Sequence, residues 1–263
     1  MKAFLLAGGH GSRLRPLTDT LPKCLVPVCG RPMLDIWLDL CARSGITDVL
    51  INLHAHSGLI QAHLDRRQFG VRVRLVREER LLGSAGTLAS NRDWIASDRA
   101  FWVLYSDVLT NTHLNRMRDF HFSHGDVATL GLYQVPDPSR CGVAITASDG
   151  VITDFQEKPQ HPRSNWVFSG LMIATPKLFD FIPTIIPADI GFHVLPRLLG
   201  QMRAFPISDY LLDIGTMPNY QKAQATWPSA QNRPAVTEPG GGSISTAPLA
   251  IHSRGLHAYG EKS

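Results

Sequence analysis

The stretch "KAFLLAGGHGSRLRPLTDTLPK", residues 2–23, decides the fold. Its first six residues, an apolar run after Lys2, are of strand length, and Gly8 and Gly9 stop them. Gly11 follows, then Arg13, Arg15 and Lys23. Glycines let backbone N–H groups close around an anion. Arginine adds planar paired donors and lysine a mobile point charge, both suited to phosphate oxygens. Two familiar phosphate loops are excluded by spacing. A Walker loop wants Gly-Lys-Ser/Thr where Arg13 and its neighbours stand, and a dinucleotide fingerprint wants a third glycine where Leu14 stands. The second failure also disfavours a dehydrogenase. Spacing alone leaves an anion site and a surface turn with solvated cations level.

Working outward, the chain of 263 residues is long enough for one α/β core, and its 44% hydrophobic share is that of a globular protein. A net charge of +4, scattered rather than clustered, argues against a nucleic-acid partner. Cys24, Cys29, Cys41 and Cys141 form no C-x-x-C pair and no zinc spacing, so they read as reduced thiols suited to a cytosol. The amino terminus is too short in apolar residues for a secretory leader, and no stretch is long enough to span a membrane. The expectation is a soluble cytoplasmic protein without a membrane partner.

Strand and helix alternate to about residue 125. "DVLINL" (48–53) and "FWVLYSDVL" (101–109) read as buried strands, and "VRVRLV" (71–76) as a strand with one wet face. Helices are predicted from Pro32 to Gly45, over 58–67 and near 113–123. That order predicts a mostly parallel sheet with helices on both faces. "DVATLGLYQV", "GVAITA", "VITDFQE" and "WVFSGLMIA" then read as strands, with a hairpin at Asp149-Gly150. Helices are predicted near 176–182, 191–200 and 217–227, with strands at "RAFPI" and "YLLDIG". From residue 228 Pro, Gly and Ser dominate, so the domain is set at 1–227 and 228–263 reads as a flexible tail.

The long segment "LLAGGHGSRLRPLTDTLPKCLVPVCGRPML" resembles the glycine-rich signature of sugar-1-phosphate nucleotidyltransferases. The resemblance extends over about residues 1–227. It implies a Rossmann-like mixed, mostly parallel sheet flanked by helices, of the GT-A-like nucleotidyltransferase kind. It places Leu6, Ala7, Gly8, Gly9, Gly11 and Ser12 on the nucleotide and makes Arg13 and Lys23 the catalytic cations. "LLGSAGTLA" (81–89) resembles the loop that meets base and ribose, which puts Gly83, Ser84, Ala85 and Gly86 there. Its form is most like mannose-1-phosphate guanylyltransferases and related heptose-phosphate enzymes. Asp107 and Asp213, each at a strand end, resemble the family's two metal-holding aspartates and imply Mg²⁺. Ser106 stands where the family pattern usually has glycine. "FQEKP" resembles the segment in which Glu157 binds sugar hydroxyls and Lys158 the sugar phosphate, while Gly142, Asn165 and Gly170 resemble further sugar contacts.

The implied reaction joins a nucleoside triphosphate and a sugar 1-phosphate, releasing pyrophosphate. GTP with mannose 1-phosphate or a heptose phosphate is the first expectation, and UTP or dTTP with a glucose or amino-sugar phosphate the second. A non-catalytic sugar-nucleotide-binding domain is a third, disfavoured because Lys23, Asp107 and Asp213 are all present. The attacking phosphate is already an anion, so His10, His54 and His56 are assigned loop and surface roles. Homo-oligomerisation is left open.

Overall fold

In the computed structural model, which describes residues 1–9, 11–54 and 57–228, the first strand is buried on both sides. Within β1 (Lys2–Leu6), Ala3 and Leu5 enter one core cluster and Phe4 the opposite one. A strand wet on neither face belongs in the middle of a helix-covered sheet. β1 sits there, parallel to β4 (Asp48–Leu53) on one side and β6 (Phe101–Tyr105) on the other. A small hairpin of β2 (Pro27–Val28) and β3 (Arg31–Pro32) precedes them in the chain, and β5 (Arg72–Arg77) closes that edge parallel to β4.

The second half reverses direction. β8 (Ala128–Gln134), β9 (Gly142–Thr146), β10 (Ile152–Glu157) and β11 (Trp166–Ala174) extend the sheet with antiparallel pairings, and β12 (Met202–Pro206) adds parallel to β8. The main path runs β10-β9-β11-β6-β1-β4-β5. Helices α2 (Met33–Arg43) and α6 (Met217–Thr226) contribute to one core, with Leu34, Trp37 and Ala223 buried beside Leu5. α4 (Ser84–Ser90) buries Ala85 and Leu88 in the other, beside Phe4 and Phe101. α1 (Leu17–Thr20), α3 (Ser57–Leu64) and α5 (Leu114–Ser123) complete the helices. The mixed, mostly parallel sheet expected from the sequence is the observed architecture.

Three local readings are corrected. "FWVLYSDVL" is not one strand: the chain turns at Ser106-Asp107, and β7 (Val108–Thr110) leaves the main sheet to pair with β13 (Leu211–Asp213). The helix expected at 191–200 is a wide π-type turn, Ile190–Val194, followed by a 3₁₀ turn, Leu195–Arg197. Pro196 lacks the N–H that a regular helix would use there. The stretch Pro176–Phe181 is likewise 3₁₀ rather than α. The hairpin at Asp149-Gly150 forms as read, with Gly150 at φ 86°. The tail assigned to 228–263 lies outside the described residues beyond Pro228, as do His10 and His56. Among the described residues no helix is long and apolar enough to cross a membrane.

Candidate functional site

The carboxyl ends of β1, β4 and β6 open into a cavity of about 450 Å³, lined by Leu6, Ala7, Gly8, Gly9, Gly11, Ser12, Gly83 and Ser84 among others. Beside it a cavity of about 560 Å³ is lined by Gly142, Glu157, Lys158, Gly170 and Asp189. Arg13, Tyr105 and Asp107 line both, and so mark the seam. Open α/β sheets place ligands outside strand carboxyl ends at such a change of direction.

The glycine loop is fixed from below. Gly11 adopts φ 64°, its carbonyl accepts from Leu14 N at 2.9 Å and from Thr18 Oγ1 at 2.8 Å, and an added Cβ would lie 3.0 Å from Thr18 Cγ2. Only glycine takes that backbone conformation without strain. Ala7 N donates to Asn52 Oδ1 at 2.8 Å, and Asn52 Nδ2 donates to Glu78 Oε1 at 3.1 Å. Thr87 Oγ1 donates to the same Glu78 oxygen, so a buried polar net holds the floor of the first cavity. Sequence reasoning missed Asn52 and Glu78; the available signal was a polar residue inside the apolar run "DVLINL".

At the seam the charged groups converge. Lys23 Nζ lies 2.6 Å from Asp107 Oδ2. A Cβ on Gly215 would fall 2.7 Å from Asp213 Oδ1, 3.1 Å from Lys23 Nζ and 3.2 Å from Arg13 Nη2. Glycine at 215 therefore leaves the space in which three side chains meet. The β7–β13 pairing sets Asp213 opposite Val108, and Ile214 N donates to Asp107 O at 2.9 Å. Both aspartates thus hang from one short ladder. Burial raises the Asp213 carboxyl above the ordinary range, and the Asp107 charge raises it further; Lys23, the Gly215 N–H and Arg13 pull the other way. Ser106, in place of the expected glycine, is buried and donates its N–H to Leu6 O at 3.1 Å, so the turn accepts a side chain.

In the second cavity Glu157 is wedged between two glycines. A Cβ at Gly142 would lie 2.7 Å from Glu157 Oε2, and one at Gly191 would collide with that oxygen. Burial raises the Glu157 carboxyl, Lys158 opposes that shift, and the Asp189 charge adds to it. Lys158 has a left-handed backbone, φ 50°, and donates its N–H to Cys141 O at 2.9 Å. Its Nζ lies 3.5 Å from Glu157 Oε1 and 5.4 Å from the Phe192 ring centroid. Strained backbone of this kind gathers at functional positions. Gly170 sits at φ 79° within a bulge of β11, where a Cβ would lie 3.0 Å from Tyr105 Cβ.

Three expected contacts are not brought into either cavity. Ala85 and Gly86 spend their N–H groups on Ala188 O, at 3.0 and 3.2 Å, and Ala85 is buried in the core. Asn165 stands exposed before β11, with its carbonyl accepting from Val135 N and its Oδ1 from Gln134 Nε2 at 3.4 Å. Tyr105 and Asp189 are the additions. The sequence offered no pattern to mark them. His54 pairs through Nδ1 with Glu78 O at 3.0 Å, away from the seam's cations.

The nucleotidyl transferase profile matches residues 2–229. The chain belongs to the nucleotidyl transferase family. Members of this family generally use a divalent metal ion. The chain is 36% identical over 221 residues to mannose-1-phosphate guanyltransferase beta-B of Xenopus laevis, covering 82% of this nucleotidyl transferase and 61% of the frog protein. It therefore spans about three-fifths of that relative's length. The mannose-1-phosphate guanyltransferase of Schizosaccharomyces pombe is 32% identical over 253 residues, covering 93% of this chain and 69% of its own. Among solved structures, a putative glucose-1-phosphate thymidylyltransferase from Bacillus anthracis, in complex with a sucrose, superposes with a TM-score of 0.76 at 27% identity. That match covers 86% of this chain and 94% of the other.

Proposed function

We propose that this nucleotidyl transferase moves a guanylyl group from GTP to mannose 1-phosphate, giving GDP-mannose and pyrophosphate. The observation that carries the reading is the meeting of Arg13, Lys23, Asp107 and Asp213 around Gly215, between two cavities of substrate size. The triphosphate lies along the glycine loop with its base towards Gly83 and Ser84. The sugar lies in the second cavity against Gly142, Glu157 and Gly170, and Lys158 at its exposed rim meets the sugar phosphate.

The sugar phosphate oxygen forms a bond to the α-phosphorus, the bond from that phosphorus to the bridging oxygen breaks, and pyrophosphate leaves with the electron pair. No proton need move. The difficulty is bringing two polyanions together while charge grows on the equatorial oxygens. Arg13 and Lys23 supply donors there, and binding in adjoining cavities supplies alignment.

The acidic pair suits Mg²⁺. Two carboxylates carried by one short ladder offer the oxygen donors that a hard divalent cation takes, beside the Lys23 ammonium that pairs with Asp107. Among the described residues no group of three or more His, Cys, Asp or Glu is placed to hold a metal. Mg²⁺ ordinarily binds through one or two carboxylates plus substrate phosphates and water, which Asp107 and Asp213 match. Bound there, the ion would neutralise phosphate charge.

The choice of GTP and mannose 1-phosphate draws its support from the named relatives. The test is a matrix of GTP, UTP, dTTP and ATP against mannose, glucose and heptose 1-phosphates with Mg²⁺, read by pyrophosphate release. Release with another pair only would move the substrate assignment; binding without release throughout would overturn the enzyme reading.

A further inference from the structure

The turn after Pro187 is bound to the nucleotide loop more tightly than packing requires. Ala188 N donates to Leu82 O at 2.8 Å, and Ala188 O accepts from Ala85 N and Gly86 N. Ser84 Oγ donates to Asp189 Oδ2 at 3.0 Å and accepts from Ile190 N at 2.8 Å. A side chain at Gly83, itself at φ 78°, would run into Ala188 O. These contacts hold the half-buried Asp189 carboxylate on the wall of the second cavity, with Gly191 next to it opening the gap that Glu157 fills.

Asp189 also caps its own turn, its Oδ1 accepting from Phe192 N at 3.2 Å. A cap alone requires one acceptor, which asparagine or serine supplies as well. A carboxylate has about four lone-pair sites, and the protein uses one on each oxygen through Phe192 N and Ser84 Oγ. Asp189 lines the same cavity as Glu157, and among the described residues its remaining sites take no bond from the protein. Two carboxylates side by side repel, and that cost is repaid when a ligand presents several hydroxyl donors.

Resting on the function proposed above, we propose that Asp189 is a specificity-determining residue: a second carboxylate, positioned by Ser84 of the nucleotide loop, that accepts from a sugar hydroxyl beside the one read by Glu157. The ligand class is the 1-phosphate of an otherwise uncharged sugar with free hydroxyls on neighbouring carbons.

The test is Asp189→Asn, which keeps the cap and removes the charge, assayed with mannose 1-phosphate and its mono-deoxy analogues. KM for the sugar phosphate is expected to rise about ten-fold, the scale of a charge-assisted bond becoming a neutral one. KM for the triphosphate should stay within about two-fold, and the thermal midpoint should fall by only about 2–4 °C, because the amide oxygen keeps the Phe192 N cap while the amide nitrogen replaces the oxygen that accepted from Ser84 Oγ. One deoxy analogue, disfavoured by wild type, should lose most of its penalty in the variant while the other analogues keep theirs. Equal deoxy penalties in the two proteins, or parallel rises in both KM values, would overturn the assignment. Asp189→Glu, expected to restore part of the penalty, guards against a result due to local misfolding. A wild-type protein inactive across the substrate matrix would instead defeat the underlying function.

Discussion

Lys23 Nζ reaches Asp107 Oδ2 at 2.6 Å across 84 residues of chain. The contact joins the amino-terminal glycine loop to the turn after β6, and it places the cation beside the carboxylate pair. In the proposed reaction the same ammonium serves the α-phosphate. Lys23→Ala should therefore lower kcat by roughly 10²–10³, the scale of one lost transition-state donor, with the fold retained by circular dichroism. Near-wild-type turnover would remove Lys23 from the chemistry.

Asp213→Asn keeps the volume and the acceptor for Gly215 N while deleting a charge. Binding of Mn²⁺ with a non-hydrolysable triphosphate, followed by electron paramagnetic resonance, should fall sharply. kcat with Mg²⁺ should drop by roughly 10²-fold or more, as several kcal/mol of metal-borne charge stabilisation is lost. Intact Mn²⁺ binding in the variant would place the ion elsewhere.

Gly83→Ala tests the joint between the 81–89 loop and the turn after Pro187. The new methyl must enter the Ala188 carbonyl, and φ 78° disfavours any side chain. Strain of this sort costs about 1–3 kcal/mol. Denaturant unfolding should show a loss of that order, and triphosphate KM should rise.

The acid limb of stability should trace to a buried histidine pair. His121 Nδ1 and His124 Nε2 lie 2.9 and 2.8 Å from the same Thr129 hydroxyl. Burial pushes His121 down to about 4, with the His124 charge acting in the same direction, against its ordinary 6.5. Asp126 opposes the shift, and Arg99 adds to it. A folded value below the unfolded one means the unfolded chain takes up the proton first. Stability from this group is full above about 6.5 and is lost as pH falls from there towards 4. His121→Gln should flatten the fall in thermal midpoint between pH 7 and 5; an unchanged slope would exclude His121 as its source.

The first strand, its glycine loop and the two aspartates were readable because each rests on a local cause. An apolar run must be buried, a loop with Gly11 at positive φ needs glycine, and charged strand ends must face a ligand or water. What sequence could not supply was the spending of hydrogen bonds. The N–H groups of Ala85 and Gly86 look free in a glycine loop, yet Ala188, a hundred residues on, consumes them. Asn165 sits just before β11, exposed at the end of the β11–β8 pairing and bonded to Gln134 and Val135. Asp189 carried no motif at all, and its place follows from Ser84.

The short β7–β13 ladder has one further meaning. Because Asp107 and Asp213 are hung from paired backbone, their separation is a matter of strand alignment rather than of side-chain torsion. A slip of one position in either strand would turn one acid to the opposite face of the ribbon and abolish the pair in a single step. Long insertions between residues 110 and 211 that spare this alignment leave the gauge intact. The walls of the second cavity can thus change while the two acids keep their span.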